Sequence, residues 1–321
     1  MIPWLVVLQA TMTIATAGPL SAPEYWPLWV AQSEGYFAEE GLDVTITPFR
    51  AEGPAAEALG RGQAELAATS LDAAITLGHS GGVPPRIVFG LTAAPPVALL
   101  VPRGRQEAIQ GLADLVGKTI GVTAPGTAAQ LALISLLGAG GIRPHQVKTK
   151  SFGERGLAAA LVSGEVAAGM VGDPDATRLV ESGEATVLVD LRRPSEAARW
   201  LKAPTVNAAV FIRADTALGP DKVKPLVRAL LKAVARLRTA PAEELRAKLP
   251  ASAIGFPEDF EARLHGAREI YLQDGMVTTE VLGDSLALVR DRSAIPSKVS
   301  VPRSMDKLLF TEPLDEVLAA R

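Results

Sequence analysis

Hydrophobic and polar positions fall into short runs that alternate between two periods. Residues 11–17 (TMTIATA) form an apolar run closed by Gly-Pro, which predicts a buried strand and a turn. Residues 24–37 place Trp26, Trp29, Val30 and Phe37 near helical spacing, with Gly35 near the end, and predict a helix. Residues 41–46 (GLDVTI) alternate as a strand does. A helix at 55–59, a strand at 65–68 and a helix opening at Ser70-Leu71-Asp72 follow. Residues 87–93 and 97–101 read as strands around Pro95-Pro96. The region to Val101 is therefore rich in βαβ units, the pattern of an open α/β sheet.

The pattern then recurs in the same order. Thr119-Ile120 opens a strand as Thr13-Ile14 does, and Ala124-Pro125-Gly126 stands where Gly18-Pro19-Leu20 stood. Gly141-Ile142 before Val147 matches Gly41-Leu42 before Val44. AAALVSGEVAAGMVGDPDA parallels AEALGRGQAELAATSLDAA, each with a helix ending in Leu, a Gly, and a small apolar strand running into an Asp-bearing turn. Two α/β lobes of like build are expected. Residues 205–212 read as a strand, and helices are expected at 221–238, 242–248, 257–272 and in a short piece at 306–318. Lobe 1 comprises 11–94 and 206–321, and lobe 2 comprises 95–205. Crossings near Pro95 and Pro204 make a hinge, and the carboxyl ends of the facing strands define one cleft.

Composition narrows the chemistry. The 321 residues are 48% hydrophobic and 21% charged, with net charge −3, so a core can form and no basic surface marks nucleic acid. Cysteine is absent, which excludes disulfides, thiol nucleophiles and a lipid-modified cysteine anchor. His79, His145 and His265 are dispersed, and no metal site or cofactor is expected. MIPWLVVLQA reads as the end of a secretory signal peptide over residues 1–10, lacking its basic start. No run reaches the ~18 apolar residues of a membrane span.

YWPLWVAQSEGYFAEEGLDVTI resembles the signature of periplasmic substrate-binding proteins of ABC importers, in the subgroup serving nitrate, taurine, alkanesulfonates and thiamine-pyrimidine precursors. GQAELA with Ser70 after it, LVGKTIGV leading to Pro125-Gly126-Thr127, and YLQDGMV near the C-terminus fit the same group. The resemblance implies a type II two-lobed periplasmic-binding-protein fold, each lobe a central mixed sheet flanked by helices. It further implies a soluble, exported, monomeric protein with no catalytic role, which captures a small molecule (sulfonate, carboxylate or pyrimidine-like) by closing two lobes and delivers it to an ABC permease. The alternative is a cytoplasmic enzyme on the same fold, such as one of menaquinone or thiamine-pyrimidine synthesis. An effector domain of a transcription regulator would need a helix-turn-helix ahead of the first lobe.

The candidate contacts are turn residues. A helix starting near Thr127 leaves its first N–H groups without intrahelical partners, so Pro125, Gly126, Thr127 and Ala128 form an anion site or, alternatively, Thr127 is only an N-cap. Tyr25 and Trp26 stack on a ligand or pack beneath their helix. Ser70 and Asp72 hold the matching place in lobe 1, as ligand contacts or caps. Asp173 accepts from a ligand amine or makes an Asx turn before Pro174. Asn207 lies on the second crossover strand, and Ser21 and Thr92 complete the set. Arg50 and Arg155 are expected in solvent. With no basic residue in these loops, the expectation is an organic ligand with one anionic or polar head and an apolar or aromatic body, rather than nitrate or phosphate.

Overall fold

A computed structural model describes residues 10–78, 83–124, 127–201, 205–292 and 305–321. The signal-peptide reading, Pro125, Gly126 and the Arg155 side chain lie outside what it describes. The strands are β1 (Ala10–Thr16), β2 (Leu42–Pro48), β3 (Leu66–Ser70), β4 (Pro85–Thr92), β5 (Val97–Pro102), β6 (Thr119–Val122), β7 (Lys148–Ser151), β8 (Ala168–Gly172), β9 (Ala185–Asp190) and β10 (Ala208–Arg213). They form two five-stranded sheets, in the orders β2-β1-β3-β10-β4 and β7-β6-β8-β5-β9.

The recurring sequence pattern has its counterpart here. In each sheet three strands run parallel, β2-β1-β3 and β7-β6-β8, and the fourth position is antiparallel to its neighbours. That fourth strand is β10 in the first sheet and β5 in the second. Each arrives from the other sheet, so the chain passes between sheets once between β4 and β5 and again between Leu201 and β10.

The helices around the first sheet are α1 (Trp26–Ser33), α2 (Tyr36–Glu39), α3 (Glu52–Gly60) and α4 (Leu71–Leu77). Around the second are α5 (Ala128–Ala139), α6 (Gly153–Val162), α7 (Asp175–Glu181) and α8 (Pro194–Leu201). The C-terminal part supplies α9 (Pro220–Thr239), α10 (Ala242–Lys248), α11 (Ala251–Ile254), α12 (Phe260–Ile270), α13 (Thr279–Arg292) and α14 (Glu312–Ala319). The helix expected over 24–37 is divided into a 3-10 turn at Pro23–Tyr25, α1 and α2. The break falls at Gly35, whose φ of 80° is left-handed backbone open to glycine at little cost.

α9 buries Val223, Leu226, Val227, Leu230, Leu231, Val234 and Leu237, a three-four spacing that makes one apolar face. That face packs on α1, α2 and α14. One hydrophobic core runs from the first sheet into the second, because α13 packs against α5. A smaller core lies under α6 and α7.

Candidate functional site

The turns after β1, β2 and β3 face the turns after β6 and β8 across a cavity of about 220 Å³. Its wall is made by Gly18, Pro19, Glu24, Glu52 and Thr76 on one side, and by Thr123, Thr127, Ala128, Gly172 and Asp173 on the other. Pro95, Pro96 and Asn207, from the two crossover segments, close its back. An adjoining pocket of about 70 Å³ shares Pro95, Ala128 and Asn207 and is lined by Asp72, Leu131, Ala132, Leu201, Val206 and Leu288. The carboxyl ends of strands from both sheets thus meet at one place, as open α/β sheets dictate.

Asn207 is half-buried on this wall, and its backbone pairs with Thr92 and Leu71. Thr127 is the N-cap of α5. Its Oγ1 donates to the Ala124 carbonyl (2.9 Å) and accepts from the Gln130 N–H (3.4 Å), so it caps the helix and lines the cavity at once. Asp173 reaches the cavity, but its Oδ1 already accepts from the Thr177 N–H (3.0 Å), the Thr177 hydroxyl (2.8 Å) and Arg192 (3.3 Å). Arg192 also clamps Asp190 with two contacts of 2.8 and 2.9 Å. Asp173 therefore caps α7 within an ionic network of its own lobe.

Five candidates, Ser21, Tyr25, Trp26, Ser70 and Thr92, line neither the cavity nor the adjoining pocket, and all are buried. Trp26 is fully buried: its Nε1 donates to the Ala253 carbonyl (2.9 Å), and its ring packs on Phe260 with centroids 5.1 Å apart. The expected stacking surface at Trp26 gives way to a core role, because α12 covers it. Thr92 is fully buried, and its hydroxyl accepts from the Ala208 N–H (3.2 Å), joining β4 to β10. Ser21 is buried at the rim of a neighbouring cavity, and its carbonyl accepts from Arg263 (3.3 Å). Arg50 is exposed, as expected.

Glu24 and Glu52 were not among the expected site residues. Glu24 sits in the 3-10 turn after β1, Glu52 in the first turn of α3, and Asp72 in the first turn of α4. Three successive βα turns of lobe 1 thus each carry a carboxylate. Helix N-termini favour such groups, but these three also act on one another. Burial raises the Glu52 pKa well above the ordinary value, and repulsion from Asp72 and Glu24 adds to it; Ser70 and the Ala128 N–H oppose the rise. Burial likewise pushes Asp72 up to about 6, against stabilisation from Ser70 and nearby backbone N–H groups. The Tyr25 hydroxyl is raised well above its usual range by burial and then by Glu52, Glu24 and Asp72. Ser70 is buried beside both carboxylates, yet its Oγ makes no well-formed hydrogen bond, and neither does the buried Tyr25 hydroxyl.

Ala128, at the N-terminal end of α5, lines the same cavity as Glu52, and its N–H favours the ionised form of that carboxylate. Among the described residues lining the cavity and its adjoining pocket there is no Lys, Arg or His. No group of three or more His, Asp or Glu side chains among the described residues has metal-holding geometry.

A family model described as "NMT1/THI5 like" matches residues 22–244, more than half of the chain. The chain belongs to the NMT1/THI5-like family. No curated protein matches the sequence. Among solved structures, a protein of Bordetella bronchiseptica RB50 is 24% identical with a TM-score of 0.80, over 97% of this chain and 98% of its own. The alkanesulfonate-binding protein SsuA from Xanthomonas axonopodis pv. citri, bound to MOPS, is 20% identical with a TM-score of 0.71, over 94% of this chain and 98% of its own. The periplasmic nitrate-binding protein NrtA from Synechocystis PCC 6803 is 15% identical with a TM-score of 0.73, over 97% of this chain and 89% of its own. The fold is that of the periplasmic binding proteins. No helix among the described residues is long and apolar enough to cross a membrane.

Proposed function

We propose that this NMT1/THI5-like chain is the solute-binding component of an ABC importer. It works outside the cytoplasmic membrane, holds a small organic molecule between its sheets and presents it to a permease. The observation that carries this reading is the cavity bounded by strand ends of both sheets and backed by both crossover segments. Residues 11–94 and 206–321 act as one lobe and 95–205 as the other. Ligand closes them about the segments near Pro95 and Asn207, a hinge device. The family match and the printed roles of two structural neighbours, alkanesulfonate binding and nitrate binding, support binding rather than catalysis. The protein acts as a monomer, since both lobes must meet the permease.

The test is thermal unfolding and small-angle X-ray scattering against a panel of organic amines, acids, sulfonates and pyrimidines. A true ligand at a hundred times its Kd adds ~2.7 kcal/mol of stability, lowers the radius of gyration and is recovered unchanged. Chemical turnover of a bound compound, or a cavity that no compound enters, would sink the proposal.

A further inference from the structure

We infer that Arg178 and Phe256 form a latch across the mouth of the cleft. The pair sets how far the closed form is favoured, and hence how tightly a solute is held. This deepens the solute-binding reading above and rests on its two lobes.

Arg178 lies in α7, which packs on β5, β8 and β9 of the second sheet. Phe256 lies between α11 and α12, and α12 packs on the 3-10 turn that follows β1 of the first sheet. The two residues belong to different lobes, yet the Arg178 guanidinium stands over the Phe256 ring, 5.0 Å from its centroid. That is the range of a cation–π contact. A 2.8 Å bond to Asp175 steadies the guanidinium from its own helix, and its Nε is buried without a hydrogen-bond partner. A cation shielded from water in this way gains most from a ring.

The second observation is how Phe256 is held. Its side chain is 39% exposed, but its backbone is pinned from beneath. Arg263, 1% exposed, donates to the carbonyls of Phe256 (3.0 Å), Ser21 (3.3 Å) and Ile254, and Asp259 anchors it at 2.6 Å. Gly255, just before Phe256, has a φ of +71°, and a Cβ there would lie 2.8 Å from the Ser21 Cβ. A buried ion pair is a weak source of stability. Here its donors fix the turn that presents Phe256 to the other lobe.

Arg178 and Phe256 both line a cavity of about 580 Å³ between the lobes. It shares Pro19, Thr123, Gly172 and Asp173 with the ligand cavity, which neither latch residue lines. The pair therefore acts on affinity through the balance of open and closed forms. A protein that is closed for only part of the time binds with its affinity reduced by that fraction.

The experiment uses the ligand-free protein. The chain has no cysteine, so Thr47→Cys on β2 and Thr149→Cys on β7 each take one spin label. Both positions are exposed, on corresponding outer strands of the two sheets. Pulsed electron-spin resonance then reads the distance between lobes. With the latch intact, a short-distance population should be present. Phe256→Leu and Arg178→Gln should each lower the ratio of short to long distances by about fivefold, the worth of ~1 kcal/mol. The double variant should match the single ones, and Phe256→Tyr should keep the short population. A merely structural role would lower stability to urea and leave the distances alone. Should Phe256→Leu fail to fold, Arg178→Gln at its half-buried site carries the test.

Unchanged distances in the single variants, or effects that add in the double variant, would overturn the latch. Loss of the short population in Phe256→Tyr would overturn it too. Solute binding would stand in each case, because the melting-temperature panel decides it separately.

Discussion

Replacing Asp72 with Asn should make the free protein more stable at neutral pH. Asn keeps the shape and the acceptor oxygen at the start of α4, and removes the charge. The unfolded chain releases the Asp72 proton near 3.8, and the folded protein near 6. Between those values the folded state binds more protons than the unfolded one, so stability falls as pH rises through that window and levels off above it. A proton held about a hundredfold more tightly corresponds to about 3 kcal/mol. Because Asp72 titrates together with Glu52, that figure belongs to the pair. Acting on the group are Glu52 from α3, Tyr25 from the turn after β1, the Ser70 hydroxyl and the backbone N–H groups of Asp72 and Ala73. The assay is urea unfolding from pH 4 to pH 8 for the wild type and Asp72→Asn. The variant should gain up to about 3 kcal/mol at pH 7.5, a rise of about 3–6 °C in Tm, and lose much of the pH dependence between 4 and 6. An equal loss of stability at every pH would show that Asp72 serves α4 as a cap and that its charge is not strained.

Arg263→Met should cost about 3–5 kcal/mol, read by urea unfolding. It leaves Asp259 buried without its 2.6 Å partner and frees the carbonyls of Ser21 and Phe256, and adding Asp259→Asn should recover part of the loss. Gly275→Ala should cost about 2–5 kcal/mol, because φ is +69° and a Cβ would lie 2.2 Å from the Phe89 ring; a neutral result would contradict that packing. Arg192→Met should destabilise by about 1–3 kcal/mol, with faster amide exchange at Thr177 and Asp190, since Asp173 and Asp190 lose their shared partner.

Much of the fold is legible because its elements carry local signals. β2 alternates, β3 and β5 are continuous buried runs, and the two halves repeat in order. Thr127 reads as an N-cap from its place before an apolar helix, and it is one. α13 escapes notice because Gly283 and Asp284 interrupt its apolar positions; α5, far away in sequence, gives it a partner. Trp26 looks like a ligand surface because it follows a turn. The residues that bury it, Ala253 and Phe260, lie more than two hundred positions away. Glu52 escapes because the expected helix begins at Ala55, three residues after the true start of α3. That Glu52 shares a cavity with the start of α5 is likewise invisible in the sequence, because the two come from different sheets.

The central claim is that one molecule sits in the cavity between the two sheets, against Thr127 and Asn207. A crystal structure of the protein, purified without denaturation and soaked with the panel compound that most raises its Tm, tests it most directly. The account predicts density for that compound in the cavity, between Thr127 and Asn207. Density only elsewhere, or a cavity left empty by a probe that calorimetry shows to bind, would contradict it.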